Sequence, residues 1–205
     1  MKANLAEQFG NIDIYLFDQL LKGTYTDCES VLDVGCGGGR NIVYFLNQGF
    51  KVYGVDPDFE CIAFSQELSR FLQPQNQISN FKIAVAEDLP FQDSQFDLVI
   101  SSAVLHFARN AEHFEAMLLS MWRVIKPGGY FFARLASGIG MEDQVMPLEG
   151  GRYLLPDESE RFLVSEEMLL SYTIKLDAIL YEPIKTTNVQ NLRCMTTWCL
   201  RKNLI

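Results

Sequence analysis

The sequence predicts an α/β chain built on a doubly wound, mostly parallel sheet with helices on both faces. Strand-sized apolar runs alternate with amphipathic helical runs from residue 31 to residue 133. The first such run, Val31-Leu32-Asp33-Val34, feeds directly into the glycine-crowded Gly35-Cys36-Gly37-Gly38-Gly39 and then into the helix-like stretch from Asn41 to Leu46. That order is a strand–turn–helix crease, where backbone without Cβ atoms lets a ligand lie against the main chain. A second run, Lys51 to Val55, ends in Asp56, about twenty residues after Gly35, where such sheets place a carboxylate to accept ribose hydroxyls.

Before the first strand, Leu5 to Leu21 reads as one helix rich in aromatic residues, among them Phe9, Tyr15 and Phe17. Helix-start amides after the crease favour a bound carboxylate or phosphate. The dinucleotide pattern G-x-G-x-x-G would need its third glycine at position 40, which is Arg40; the spacing present is Asp-x-Gly-x-Gly-x-Gly. Pro57 stops the second strand, and Asp58 caps a helix through Phe59 to Phe71. Phe81 to Ala86 reads as a third strand, followed by Glu87-Asp88-Leu89-Pro90-Phe91. Phe96 to Ser102, apolar on both faces, is a central parallel strand introduced by the turn Gln92-Asp93-Ser94-Gln95. His106 follows it; His113 falls in a helical run and reads as solvated surface. Phe114, Met117, Leu118, Met121 and Ile125 form the apolar stripe of a helix, Pro127-Gly128-Gly129 turns the chain, and a fifth strand begins. Residues 137–165 are a glycine-rich excursion at a strand's carboxyl end, the usual place for substrate recognition, with Arg134, Arg152 and Arg161 in or near it. Ser165 starts another helix, and two strands, near Ala178–Tyr181 and Leu192–Leu200, flank a turn at Thr186-Thr187-Asn188.

Composition narrows the partners. A chain of 205 residues suits one domain. Its formal net charge of −9 argues against a nucleic-acid partner, which would want a basic face, and favours a small-molecule substrate. Apolar runs are too short to cross a membrane, and Met1 to Glu7 lacks the apolar core of a signal peptide. Five irregularly spaced cysteines form no metal pattern and suit reduced thiols of the cytoplasm.

Between residues 28 and 136 the ordered segments resemble the class I S-adenosylmethionine-dependent methyltransferases of small-molecule type. The resemblance rests on Asp33-x-Gly35-x-Gly37-x-Gly39, Asp56, Ala86-Glu87-Asp88-Leu89-Pro90-Phe91, Val104-Leu105-His106 and Ile125-Lys126-Pro127-Gly128-Gly129. The Gly39-Arg40-Asn41 ending is similar to that of tellurite-resistance methyltransferases. It implies a Rossmann-like seven-stranded sheet with an antiparallel final strand, and S-adenosyl-L-methionine as cofactor. On that basis Gly35, Gly37 and Gly39 admit the methionine part. Cys36 is a small residue of the turn, Arg40 lies near the methionine carboxylate, and Asp33 orients the turn or the amine. Asp56 holds the ribose, Pro57 beside it is a further cofactor-binding residue, and Ala86 with Glu87 hold the adenine; Val85 stands where the family often has aspartate. Ser101, Ser102 and His106 line the reaction crevice, His106 being the candidate catalytic contact. Residues 1–27 become a helical lid, 28–136 the cofactor core, 137–165 a substrate loop, and 166–205 a helix and β-hairpin. The expected activity is methyl transfer to a small molecule by a monomer or homodimer. A nicotinamide-dependent oxidoreductase and a non-catalytic S-adenosylmethionine-binding protein are the alternatives.

Overall fold

The computed structural model describes residues 4–204; the first three residues of the expected lid and the last residue of the terminal segment lie outside that range. In chain order the elements begin with α1 (Leu5–Phe9), α2 (Ile14–Leu21), β1 (Ser30–Val34), α3 (Val43–Asn47), β2 (Lys51–Asp56) and α4 (Phe59–Leu72). They continue with β3 (Phe81–Ile83), β4 (Phe96–Ser102), α5 (Ala111–Arg123) and β5 (Ile125–Ser137). The last part comprises β6 (Met146–Pro147), β7 (Arg152–Leu154), β8 (Glu160–Phe162), α6 (Glu166–Lys175), β9 (Ala178–Leu180), β10 (Lys185–Val189) and β11 (Arg193–Lys202).

The main sheet runs β10-β11-β5-β4-β1-β2-β3, with short β9 also paired to β11. The five strands from β3 to β5 are mutually parallel, and β11 is antiparallel to β5. Period-two alternation sends successive side chains to opposite faces. Leu32, Val99, Phe131 and Ala133 pack with Phe114, Leu118 and Leu169 of α5 and α6. Val31, Leu98, Ile100 and Phe132 pack with Leu16, Phe45 and Ile62 of α2, α3 and α4. Both faces are covered, and the crossover between β1 and β4 opens a crevice at the strands' carboxyl ends.

Several local expectations change. The aromatic amino-terminal helix is two helices, because Gly10 adopts φ +59° and Asp13 caps α2 by accepting from Tyr15 N at 3.0 Å. Pro127-Gly128-Gly129 is not a turn before β5 but an irregularity inside it: the β4–β5 register slips between Phe96 and Leu98. Thr186-Thr187-Asn188 lies within β10, paired to β11, so the turn falls at Gln190 and Asn191, both left-handed at φ +53° and +56°. That two-residue left-handed turn matches the twist of the flanking strands. The glycine-rich excursion holds a small antiparallel sheet, β6-β7-β8, because the chain turns at Asp157–Ser159 and pairs Tyr153 with Arg161.

Candidate active site

β1 leaves the sheet still tied to β2: Gly35 N and Cys36 N both donate to Val55 O, at 2.8 and 3.0 Å. Gly35 has φ +69°, and a Cβ there would sit 2.4 Å from Val104 Cγ2. Gly35→Ala therefore has to strain the backbone and displace Val104. The expected cost is about 1–3 kcal/mol, read in a denaturant melt, together with weaker cofactor binding because Gly35 and Val104 wall the same cleft. Gly37 is also left-handed (φ +52°), but nothing lies within 4 Å of where its Cβ would be, so its backbone is open to a ligand. Its N–H donates to Asp56 Oδ2 at 2.9 Å, and Asp58 N donates to Asp56 Oδ1 at 3.0 Å. Those bonds fix the Asp56 carboxylate at the lip of the crease and leave lone pairs on both oxygens for hydroxyl donors.

Asp33 lies beneath this turn, 1 % exposed, and neither carboxylate oxygen has a hydrogen-bond partner. Burial pushes its pKa up to about 7, against the pull of Arg40 and with a further push from Asp56. A buried carboxylate without a donor is costly, and the ammonium of a bound methionine moiety would supply one. An orphaned carboxylate, an open glycine and a ribose-ready Asp56 together fit S-adenosyl-L-methionine. Cys36 packs in the core with its Sγ accepting from Ser65 Oγ at 3.6 Å, and burial pushes its thiol pKa up, so it is inert. The regular helix after the crease starts only at Val43 and has five residues. Asn41, where the anion-favouring helix start was expected, instead accepts from Asp13 N at 3.0 Å.

A cleft of about 450 Å³ opens at the crease, within the range of small-molecule sites. Gly35, Asp56, Pro57, Ala86 and Glu87 line it, with Val85, Val104, Phe107 and Met117 as an apolar wall. His113 lines it too, which corrects its reading as solvated surface: its ring is 13 % exposed. His113 Nδ1 accepts from Arg109 N at 3.1 Å, and Nε2 lies 2.9 Å from Glu87 Oε1, a close approach that is off line for a hydrogen bond. Burial alone would raise the Glu87 pKa, but the backbone hydrogen bond, His113 and Arg109 outweigh it and hold the carboxylate below its usual range. Glu87 thus stays ionised at the cleft wall.

At the carboxyl end of β4, Arg40 donates to Ser102 Oγ at 2.9 Å, and Ser102 Oγ donates to Asp13 Oδ2 at 3.3 Å. Asp13 is 2 % exposed and pairs with Arg134 at 3.1 Å. This knot, buried at Asp13 and Ser102 and open at Arg40, ties the amino-terminal segment to β4 and β5. The Ser101 Oγ is buried without a partner. Ala103, next in the chain, has φ +65°, which is uncommon for a residue with a Cβ. It forms part of the wall of the cofactor cleft and of a second cavity of about 240 Å³.

His106 faces that second cavity rather than the cofactor cleft. Its Nδ1 accepts from Ala136 N at 3.1 Å, so the ring proton sits on Nε2. Burial, with Arg161 nearby, pushes its pKa down to about 4. At neutral pH His106 is a hydrogen-bond donor and a poor base. Phe9 stacks on Tyr44 and Phe17 meets Phe9 edge-on, both away from the cleft, whereas the Tyr15 ring lies under the Arg134 guanidinium. Asp13, His113 and Ala103 are the site residues that sequence reasoning missed. Only Asp13 carried a signal, as an acidic residue just before an apolar helical run.

Residues 32–133 match the family model described as a methyltransferase domain. An uncharacterised methyltransferase of Synechocystis sp. is 35 % identical over 103 residues, which cover 50 % of this chain and 45 % of that protein. A tRNA U34 carboxymethyltransferase of Methylococcus capsulatus is 31 % identical over 133 residues, 62 % of this chain and 36 % of that one. The chain thus spans less than half the length of both relatives. A solved S-adenosylmethionine-dependent methyltransferase of Methanosarcina mazei superposes with a TM-score of 0.72 at 20 % identity, covering 91 % of this chain and 98 % of that chain. The sheet order, the glycine crease with its orphaned carboxylate and these matches agree: residues 32–133 of the chain form a methyltransferase domain of the class I S-adenosyl-L-methionine-dependent family.

Proposed function

We propose that the protein transfers a methyl group to a small-molecule acceptor seated in the cavity behind Ala103. The observation that carries this reading is the shared wall: one residue at the end of β4 borders both the cofactor cleft and a second, smaller cavity. When bound, S-adenosyl-L-methionine supplies a methyl group already activated for in-line displacement by its sulfonium. The chain's own residues have to orient and to exclude water, since alignment at about 3–3.5 Å supplies much of such a rate gain. Asp56 and the Gly37 backbone hold one end of the cleft, and Asp33 anchors below the turn. The Arg40–Ser102–Asp13–Arg134 knot docks the amino-terminal segment beside the reacting end, the place of a lid. The cavity's small volume favours a small molecule over a polynucleotide, as does the acidic chain. All five cysteines are free thiols, four of them buried, which suits a cytoplasmic setting. Family membership leaves the nicotinamide alternative without support.

The test is the fate of the methyl label. Wild-type protein incubated with methyl-labelled S-adenosylmethionine and a cell extract should place acceptor-dependent label in the small-molecule filtrate. Label retained on RNA or protein instead would overturn the small-molecule reading. Absence of turnover with tight cofactor binding would favour the non-catalytic alternative.

A further inference from the structure

We propose that the cavity behind Ala103 selects its acceptor through an anionic group, a carboxylate or another small oxyanion, held among Arg134, Arg161 and Arg193. The inference deepens, and rests on, the methyl-transfer reading above.

Three guanidinium groups line this cavity against one carboxylate, Asp157, in a chain whose formal net charge is −9. Asp157 is already engaged: Ser159 N and Oγ donate to it at 3.1 and 2.5 Å, and Arg193 reaches its other oxygen at 3.4 Å. Burial would raise its pKa, but those contacts outweigh it and keep the group ionised. Arg161 is the unmatched charge. Among the described residues no carboxylate lies within ion-pair distance of it; its guanidinium rests over the Phe107 ring at 5.0 Å and donates only to the Glu160 carbonyl. Arg134 spends one nitrogen on Asp13 at 3.1 Å, while its Nε is buried without a partner. His106 adds a further donor, since Nδ1 is occupied and the proton sits on Nε2.

The cavity therefore sets three guanidinium groups and the His106 Nε2 proton against a single carboxylate that Ser159 and Arg193 already engage. A cationic acceptor would meet like charge there, a neutral one would leave the Arg161 guanidinium without a counter-charge, and such mismatches discriminate between ligands. Arginine is also the side chain suited to bidentate recognition of carboxylates and oxyanions. The groups sit on β5, β11 and the β7–β8 hairpin, elements that hold them in fixed positions. An acceptor whose attacking oxygen enters already ionised needs no general base. An oxyanion satisfies this: its lone pair forms the bond to the methyl carbon, the C–S electron pair leaves on sulfur in S-adenosylhomocysteine, and no proton is transferred.

The test is calorimetric titration of the full chain, with and without saturating S-adenosylhomocysteine, using benzoate and sulfate as probes and benzamide as the neutral control. Benzoate or sulfate should bind, and benzamide at least about tenfold more weakly. Arg161→Gln and Arg193→Gln should each weaken anion binding by about tenfold or more, with Arg161→Lys recovering part of the loss. S-adenosylhomocysteine affinity should be unchanged in these variants, which shows that they are folded. Equal binding of benzoate and benzamide, undiminished anion binding in the glutamine variants, or no binding of either anion at tens of millimolar would overturn the anionic site. Failure of wild-type protein to bind S-adenosylhomocysteine would instead strike at the methyltransferase reading, and the anion arm run without it still reports on the cavity.

Discussion

Asp33→Asn is expected to stabilise the cofactor-free protein above pH 7 while sharply weakening cofactor binding. In the folded chain burial raises the Asp33 pKa from 3.8 to about 7, whereas in the unfolded chain it titrates near its ordinary value. Between those two values the folded state holds a proton that the unfolded state has lost, so stability falls as pH rises through this window. Above the folded pKa the penalty is complete, on the order of 2–4 kcal/mol. Asparagine removes the charge, so the gain in stability should be near zero at pH 4, grow toward pH 7 and then level off. Chemical denaturation at a series of pH values checks this. The same carboxylate is the natural partner for a cofactor ammonium, so binding to the wild type near neutral pH should release a proton. That release should disappear in Asp33→Asn, as read by calorimetry in buffers of different ionisation heat. A variant with unchanged stability across pH and unchanged cofactor affinity would remove Asp33 from the site.

Asp13→Ala should be strongly destabilising. It leaves the Arg134 guanidinium, 20 % exposed, without its 3.1 Å partner and takes an acceptor from Ser102. It also removes the α2 cap to Tyr15 N. Breaking a buried pair from one side costs about 3–5 kcal/mol, and loss of a helix cap about 1 kcal/mol more. These are not additive in full, because the same carboxylate makes both contacts. The expected result is a melting temperature lowered by several degrees, about 2–4 °C per kcal/mol for a chain of this size. Limited proteolysis should then cut first before residue 30. The double variant Asp13→Ala/Arg134→Met, which removes both charges, should recover a large part of the loss. A double variant no better than the single would mean that the buried pair is not the source.

The parts of the fold legible in the sequence are those set by local pattern. β1, β2 and β4 are apolar runs bounded by turn residues, and the crease is read from glycines whose positive φ only they adopt freely. Gly35, Asp56, Pro57, Ala86 and Glu87, named from the glycine and acid spacing and from the family resemblance, line one cleft, whereas Ser101 and Ser102 do not line it. What was not legible depends on contacts far apart in the chain. Asp13 meets Arg134 across 121 residues, and no local pattern predicts that pairing. His113 lies on the amino-terminal turn of α5 and reaches the cleft only because α5 packs beside Glu87. The β10–β11 turn was misplaced because Thr186-Thr187-Asn188 has turn-like composition, yet alternate side chains there pair across the strand, as Thr186 does with Thr196 at 2.7 Å. Tertiary pairing overrode a weak local propensity. His106 was rightly placed after β4, but its occupied Nδ1 could not be foreseen, since Ala136 lies on a different strand.

The most direct measurement is calorimetric titration of the wild type and Asp56→Ala with S-adenosylmethionine and S-adenosylhomocysteine, with NADH as control. The account predicts micromolar binding of both sulfur compounds to the wild type, none of NADH, and a loss of about tenfold to a hundredfold in Asp56→Ala, as expected when two charged hydrogen bonds to ribose are removed. Wild-type protein that is folded yet binds NADH, or binds neither sulfur compound, would contradict it.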